Sequence, residues 1–265
     1  MPQRATRPRP PRGPPTLAHV PADRVASAGR PIDVRTALVV ETLDALVAGL
    51  AGGATPLHVV DAGGGTGGVA VPLAVAGHEV TVVDPSPDSL AALERRAAEA
   101  GVADRIHPLQ GDLDDLARLV PGHGADVVLC HRVLEVVEDP AAALASVAAA
   151  LRPGGVASLL VANRLALVLQ RALAGRFDAA AHLLVPTPSP GPLDRDELVA
   201  LVAGAGLELT RVTGVRTVTD LVPGPLLDAD PAATAALLRL ERLAADHPAL
   251  RDIATQLHVL ARLPG

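Results

Sequence analysis

From residue 57 to residue 163 the chain alternates two patterns. Unbroken apolar runs of strand length are separated by longer stretches whose apolar positions recur at helical spacing. The runs "LHVVD", "HEVTVVD", "RIHPLQGD", "ADVVLCH" and "GVASLLVAN" predict five strands. Between them, "GGVAVPLAVAG", "SPDSLAALERRAAEAG" and "EDPAAALASVAAALRPGG" predict helices, the second started by Ser86 and Asp88 and the third ending at Pro153. Ahead of these, a helix is expected from about residue 33 to 50, with Asp33 as N-cap and Gly52–Gly53 as its stop. Apolar strands separated by helices specify a parallel, doubly wound α/β sheet with right-handed crossovers.

The pattern changes after Asn163. "RLALVLQRALAGRF" reads as helix, "VPTPSPGP" as an extended loop, "DRDELVALVAGAG" as helix and "LELTRVTGVRTV" as a strand. Residues 231–245 read as another helix, and "TQLHVLARL" as a last strand. The final two strands bring the sheet to seven, mostly parallel with one hairpin-like antiparallel edge strand. Residues 31–265 show no internal repeat and no linker, and are expected to form a single domain in which 163–190 and 218–250 are insertions.

Composition changes the picture at the N-terminus. Residues 1–30 hold Arg4, Arg7, Arg9, Arg12, Arg24 and Arg30 against one acid, Asp23, among many prolines. Such a segment cannot bury apolar surface and is expected to be a disordered, solubilising tail without the apolar core of a signal peptide. The formal net charge of −6 nonetheless gives no broad basic surface. Hydrophobic content of 49 % supports a sizeable core, built from Ala, Val and Leu, since there is one Phe and no Trp or Tyr. One cysteine, Cys130, excludes an internal disulfide and fits a reducing cytoplasm; it reads as a small buried apolar residue. No run reaches the ~20 apolar residues of a membrane span, and neither a membrane nor a metal is expected.

The candidate chemistry lies in "VVDAGGGTGG", residues 59–68, where an apolar strand ends in a glycine turn that opens a helix. Such a turn holds a cofactor against backbone N–H groups. Gly63, Gly65 and Gly68 satisfy the dinucleotide pattern G-x-G-x-x-G. Asp61, Gly63, Gly65 and Gly67 equally satisfy D-x-G-x-G-x-G, the pattern of S-adenosylmethionine (SAM) enzymes. In an open α/β sheet the ligand sits beyond the strands' carboxyl ends, where Asp61, Asp84, Gln110 to Asp112 and His131 fall. Asp84 can accept both hydroxyls of a ribose, whichever cofactor owns it. Three features separate the two. A carboxylate at Asp61 compensates an amino-acid ammonium and repels a pyrophosphate; Asp112, after Gly111, can accept an adenine amino group; and "LRPGG" at 151–155 has no role in nicotinamide binding. SAM is favoured, and a non-catalytic SAM- or NAD-binding module stays open beside an enzyme.

Val59 to Val161 resembles a class I SAM-dependent methyltransferase of the methyltransferase-11 type, with the Rossmann-like sheet that implies. More narrowly, "DAGGGTG", "HRVLEVVEDP", "LRPGGVASLLVANR", "LAGRFD", "TGVRTVTD" and "HVLAR" resemble, in that order, the bacterial tRNA 5-carboxymethoxyuridine methyltransferases. Those enzymes esterify the carboxylate of a modified wobble uridine. The resemblance implies that Arg35, Gly64, Gly65, Asp84, Gln110, Gly111 and His131 contact the cofactor, Arg35 by pairing with the methionine carboxylate as a fork.

A carboxylate acceptor, with pKa near ~4, is already ionised and needs a cation rather than a base. The candidates are Arg132, Arg164, Arg171 and Arg216, with Asn163 and His258 as polar partners. Arg216 and His258 rank first because both match residues of the family. For a hydroxyl or amine acceptor, His131 or Glu135 would be the base. Recognition of single-stranded RNA leans on aromatic stacking, and this chain offers Phe177 alone. The acceptor is therefore expected to be tRNA or a small-molecule carboxylate, a metabolite or natural product.

Overall fold

The computed structural model describes residues 34–51, 56–120, 124–185, 190–223 and 231–265, apart from the side chains of residues 34, 35, 51, 117 and 231. The tail 1–30, the Asp33 cap, the Gly52–Gly53 stop, the Arg35 side chain and part of the 185–192 loop lie outside the described residues. Residues 33–265 form one compact unit.

The strands are β1 (His58–Ala62), β2 (Glu79–Asp84), β3 (Ile106–Gln110), β4 (Ala125–His131), β5 (Leu151–Ala162), β6 (Glu208–Val215) and β7 (Gln256–Arg262). The helices are α1 (Val34–Ala51), α2 (Ala70–Val75), α3 (Pro87–Glu99), α4 (Leu116–Leu119), α5 (Pro140–Ala150), α6 (Arg164–Leu173), α7 (Phe177–His182), α8 (Arg195–Gly204), α9 (Pro231–Ala245) and α10 (Pro248–Arg251). The sheet runs in the order β3-β2-β1-β4-β5-β7-β6. All pairs are parallel except those of β7, which lies antiparallel between β5 and β6. The antiparallel element is thus the inner strand of the terminal pair, with β6 outermost.

Strand alternation sends successive side chains to opposite faces. Val59, Val80, Val82 and Leu129 pack with α1, α2 and α3 through Val39, Leu43, Leu73 and Leu93. Val60, Val128, Leu159 and Val259 pack with α5 and α8 through Leu144, Val147, Leu198 and Val202. Each fully buried leucine contributes ~1.5–3 kcal/mol from apolar area removed from water. With helices on both faces, neither face of the sheet meets solvent over most of its area.

Local chemistry sets most boundaries. Ser86 caps α3, its hydroxyl accepting from Ser89 N, with Pro87 next. Asp139 caps α5 by accepting from the N–H groups of Ala141 and Ala142. Asp194 and Glu197 form a reciprocal capping box on α8.

Three expectations are corrected. The helix expected to reach Pro153 stops at Ala150, and β5 begins at Leu151, pairing with Ala125 across a bulge. Proline removes an N–H and pushes the preceding residue into extended backbone, so "LRP" joins the strand. The helix expected over 164–177 breaks into α6 and α7 at Gly175, whose φ is +73. The helix expected over 67–77 shortens to α2 because the glycine turn continues to Val69.

Candidate functional site

The order β3-β2-β1-β4 places the reversal of connection between β1 and β4. Gly63 leaves β1 with φ +78 and lies against the loop after β4; a Cβ there would meet Val133 Cγ2 at 2.4 Å. Its N–H donates to Val83 O at 2.7 Å, turning the chain back over β2. Gly65 has φ +55 and Gly67 φ +76. A Cβ at Gly67 would strike Leu93 Cδ1 at 2.3 Å, so this glycine lets the turn sit on α3. Among the described residues a Cβ at Gly65 would meet only Asp84 Oδ2 within 4 Å, at 3.8 Å, so little crowds this part of the turn.

Asp84 fixes the turn from β2. Its Oδ2 accepts from Gly65 N and its Oδ1 from Ser86 N, both at 2.9 Å. Asp61 is 4 % exposed and lies under Gly64, where a Cβ would stand 2.5 Å from Oδ2. Burial first, and the Asp84 carboxylate second, push the Asp61 carboxyl up to about 7. Among the described residues no donor or cation offsets that cost. A buried acid without a protein partner at a strand end has the chemistry to take a cationic ligand group. The uncrowded backbone at Gly65 and the carboxylate pair therefore fit SAM's ammonium and ribose.

Past β3, Gly111 N donates to Asp84 O at 3.3 Å and Gln110 Nε2 to Pro85 O at 3.4 Å. This ties the segment expected to flank adenine to the one expected to hold ribose. Asp112 is exposed, and its Oδ1 caps the turn Leu113–Asp115 by accepting from Asp114 N. Arg35 lies in the first turn of α1.

Behind the turn, β4, β5 and β7 carry a polar chain. His131 Nε2 lies 2.9 Å from Ser158 Oγ, and His258 Nε2 lies 2.8 Å from the same oxygen. Ser158 is fully buried and His258 1 % exposed. The two rings meet edge to face at 5.7 Å. Burial lowers His131 to about 4; burial, then His131 and Arg211, lower His258 to about 3. His258, ranked among the acceptor-side residues, therefore sits within the sheet behind His131.

The other acceptor candidates separate. Asn163 is buried as the cap of α6: Oδ1 accepts from Leu165 N, and Nδ2 donates to Asp252 O and Ala254 O. All its polar atoms serve the backbone. Arg164 is held by Asp194 and Glu197. Arg171 stands in the last turn of α6. Arg132 has φ +63 and donates from Nε to Glu135 Oε1 at 2.8 Å. That Glu135 oxygen also accepts from Ala162 N, while Oε2 is buried without a partner among the described residues. Arg216 has φ +61, and its Nε and NH2 donate to Asp220. Non-glycine residues at positive φ carry strain that surrounding contacts must hold. Arg132 follows β4 and Arg216 follows β6. Burial pushes the Cys130 thiol up to about 12, as fits a core residue.

Two residues escaped the sequence. Ser158 joins histidines on strands distant along the chain. Glu241 of α9, fully buried, accepts from the N–H groups of Thr217, Val218 and Thr219 and from the Thr219 hydroxyl. It thereby holds the segment that follows Arg216. The only available signal was a lone acid inside "LLRLERLAA", which reads as ordinary helix surface.

Comparison with known proteins places the fold and the family. Residues 60–157 match a methyltransferase domain family. The chain is 31 % identical over 236 residues to the tRNA 5-carboxymethoxyuridine methyltransferase of Escherichia coli, covering 87 % of this chain and 88 % of the relative. It is also 31 % identical over 164 residues to the ubiquinone biosynthesis O-methyltransferase of Xanthomonas euvesicatoria, covering 60 % of this chain and 65 % of that one. Among solved structures, the magnesium protoporphyrin IX methyltransferase of Synechocystis PCC 6803 with bound SAH has the same fold, at a TM-score of 0.56 and 19 % identity. That likeness covers 89 % of this chain and 90 % of the other.

Proposed function

Because the chain belongs to the SAM-dependent methyltransferase family that includes the tRNA 5-carboxymethoxyuridine enzymes, we propose that it methylates the carboxylate of 5-carboxymethoxyuridine in tRNA. The observation carrying this reading is the extent of the likeness. The tRNA enzyme aligns over 87 % of the chain, whereas the ubiquinone enzyme aligns over 60 %. The longer match takes in sequence beyond the shared cofactor domain.

Bound SAM supplies a sulfonium methyl group whose leaving group is a neutral thioether. In the proposed roles, Asp61 faces the ammonium, Asp84 the ribose hydroxyls and Gln110 to Asp112 the adenine, and Arg35 pairs with the methionine carboxylate. An ionised carboxylate needs no base, so the protein's task is alignment and exclusion of water. Arg216 is the proposed cation for it. Asp220 occupies the Nε/NH2 edge of the guanidinium and orients the group, leaving NH1 to meet the acceptor.

Nucleoside mass spectrometry of tRNA from cells lacking the gene tests this. Loss of the methyl ester with accumulation of the free acid is expected. An unchanged nucleoside profile would refute the tRNA acceptor. A small-molecule carboxylate is the second reading, favoured by one observation. Phe177 is the single Phe, Tyr or Trp of the chain, so stacking of further bases would fall to arginine planes.

A further inference from the structure

The hydroxyl of Ser158 has one proton and two imidazole neighbours. Its oxygen lies 2.9 Å from His131 Nε2 and 2.8 Å from His258 Nε2, and these rings are its only partners among the described residues. Ser158 is fully buried, so its proton must go to one of the two rings. The ring that accepts it carries its own proton on Nδ1. The other ring donates from Nε2 to the serine oxygen.

His258 decides the direction. Its Nδ1 is buried and has no hydrogen-bond partner among the described residues. Were His258 the acceptor, Nδ1 would carry a proton pointing into the interior with nothing to receive it. Orphaned buried N–H groups are rarer in folded proteins than under-used acceptors. The proton of His258 therefore lies on Nε2, and the chain runs His258 Nε2–H to Ser158 Oγ–H to His131 Nε2. His131 is left with its proton on Nδ1. His131 is only partly buried, and it ends β4 beside the strand reversal where the glycine turn opens.

We propose that Ser158 and His258 are positioning residues that fix His131 as a neutral Nδ1–H donor facing the bound ligand. His131 then gives a hydrogen bond to a ligand oxygen and does not act as the base that removes a proton from the acceptor. This rests on the reading that the ligand occupies the strand ends, and it deepens that reading. The site suits an acceptor that arrives ionised, such as a carboxylate, rather than a hydroxyl or amine awaiting deprotonation. Burial, which lowers both rings far below neutrality, keeps the chain uncharged at physiological pH.

Long-range proton–nitrogen NMR on the full chain labelled with nitrogen-15 histidine reads the tautomers directly. His131→Gln and His258→Gln proteins assign the two rings. At pH 7 His131 is expected as the Nδ1–H form and His258 as the Nε2–H form. The reverse pair, or an imidazolium at either position, would overturn the proposal. Ser158→Thr should keep the His131 tautomer, and Ser158→Ala should convert it to a mixture. A single unchanged form in Ser158→Ala would remove the serine from the role. If Ser158→Ala fails to fold, the wild-type and Ser158→Thr spectra still decide. Calorimetric titration of the same samples with S-adenosylhomocysteine separates the two readings. Absent binding with the tautomers as stated would retire the cofactor assignment while leaving the proton chain intact.

Discussion

Replacing Asp61 by Asn should make the unliganded protein more stable and the liganded one poorer. The Asp61 carboxyl is raised from 3.8 to about 7, by burial first and by Asp84 second. A raised acid favours the protonated form in the folded state. Its stabilising contribution is fully present below about pH 4 and is lost as pH rises through about 7. Over that interval of about three pH units, at ~1.4 kcal/mol each, the ionised carboxyl costs on the order of 4 kcal/mol. Asn has the same shape and no charge. Urea unfolding of the two proteins without ligand should give a stability difference that grows with pH. Asp61→Asn should gain on the order of 4 kcal/mol at pH 8 relative to the difference at pH 4. Binding should run the opposite way. With Asp61 in its proposed role opposite the ammonium of S-adenosylhomocysteine, calorimetric affinity of the wild type should fall about tenfold from pH 8 to pH 6. Asp61→Asn should bind weakly at both. A stability difference that is flat between pH 4 and pH 8 would refute the burial of an unpaired carboxyl at this site.

Gly64→Ala should cost ~1–3 kcal/mol in urea unfolding and weaken S-adenosylhomocysteine binding, because the new methyl would stand 2.5 Å from Asp61 Oδ2 and 2.9 Å from Val82 Cγ1. Glu241→Ala strands three backbone N–H groups and the Thr219 hydroxyl and should cost ~3–5 kcal/mol by the same measurement. Glu241→Gln, which keeps one acceptor, should cost less. Asn163→Ala removes the α6 cap and two bonds to main-chain carbonyls and should lower the melting temperature, costing ~2–3 kcal/mol. The acceptor KM of that variant should not move if Asn163 is a cap, and a selective rise in KM would return it to the acceptor site.

The parallel half of the sheet was legible because its strands are continuous apolar runs and its turns carry glycine or capping residues. "ADVVLCH" coincides with β4, and "SPDSLAALERRAAEAG" contains α3 with Ser86 as its cap. Boundaries failed where two local signals compete. "AAALRPGG" reads as helix by composition, but Pro153 and the pairing of Leu151 with Ala125 draw its last residues into β5. The strand-end residues proposed to face the cofactor were legible as positions, because strand ends in this topology are fixed in sequence by the glycine turn and the acids that follow it. The acceptor side was not. Asn163 and His258 are polar residues of the expected kind, but Asn163 is saturated by main-chain groups and His258 lies behind Ser158. The Asn163 Nδ2 bonds and the Ser158–His258 contact join residues 89 to 100 positions apart, and no local pattern encodes them. Glu241 was overlooked because its partners lie 22 to 24 positions away, outside its own helix.

The placement of β7 has a consequence for synthesis. It is the last of the seven strands to leave the ribosome, and it enters between two strands already made. Until it arrives, β5 has no neighbour on its outer side and β6 has none on its inner side. β6 with Arg216 at its end must therefore wait as an unpaired segment while residues 216–255 are translated. The nascent chain can assemble its cofactor-binding half first, and the last strand then zips the remaining edge in a single late event. A loss of β7 would not trim the sheet by one strand; it would set β6 adrift with it.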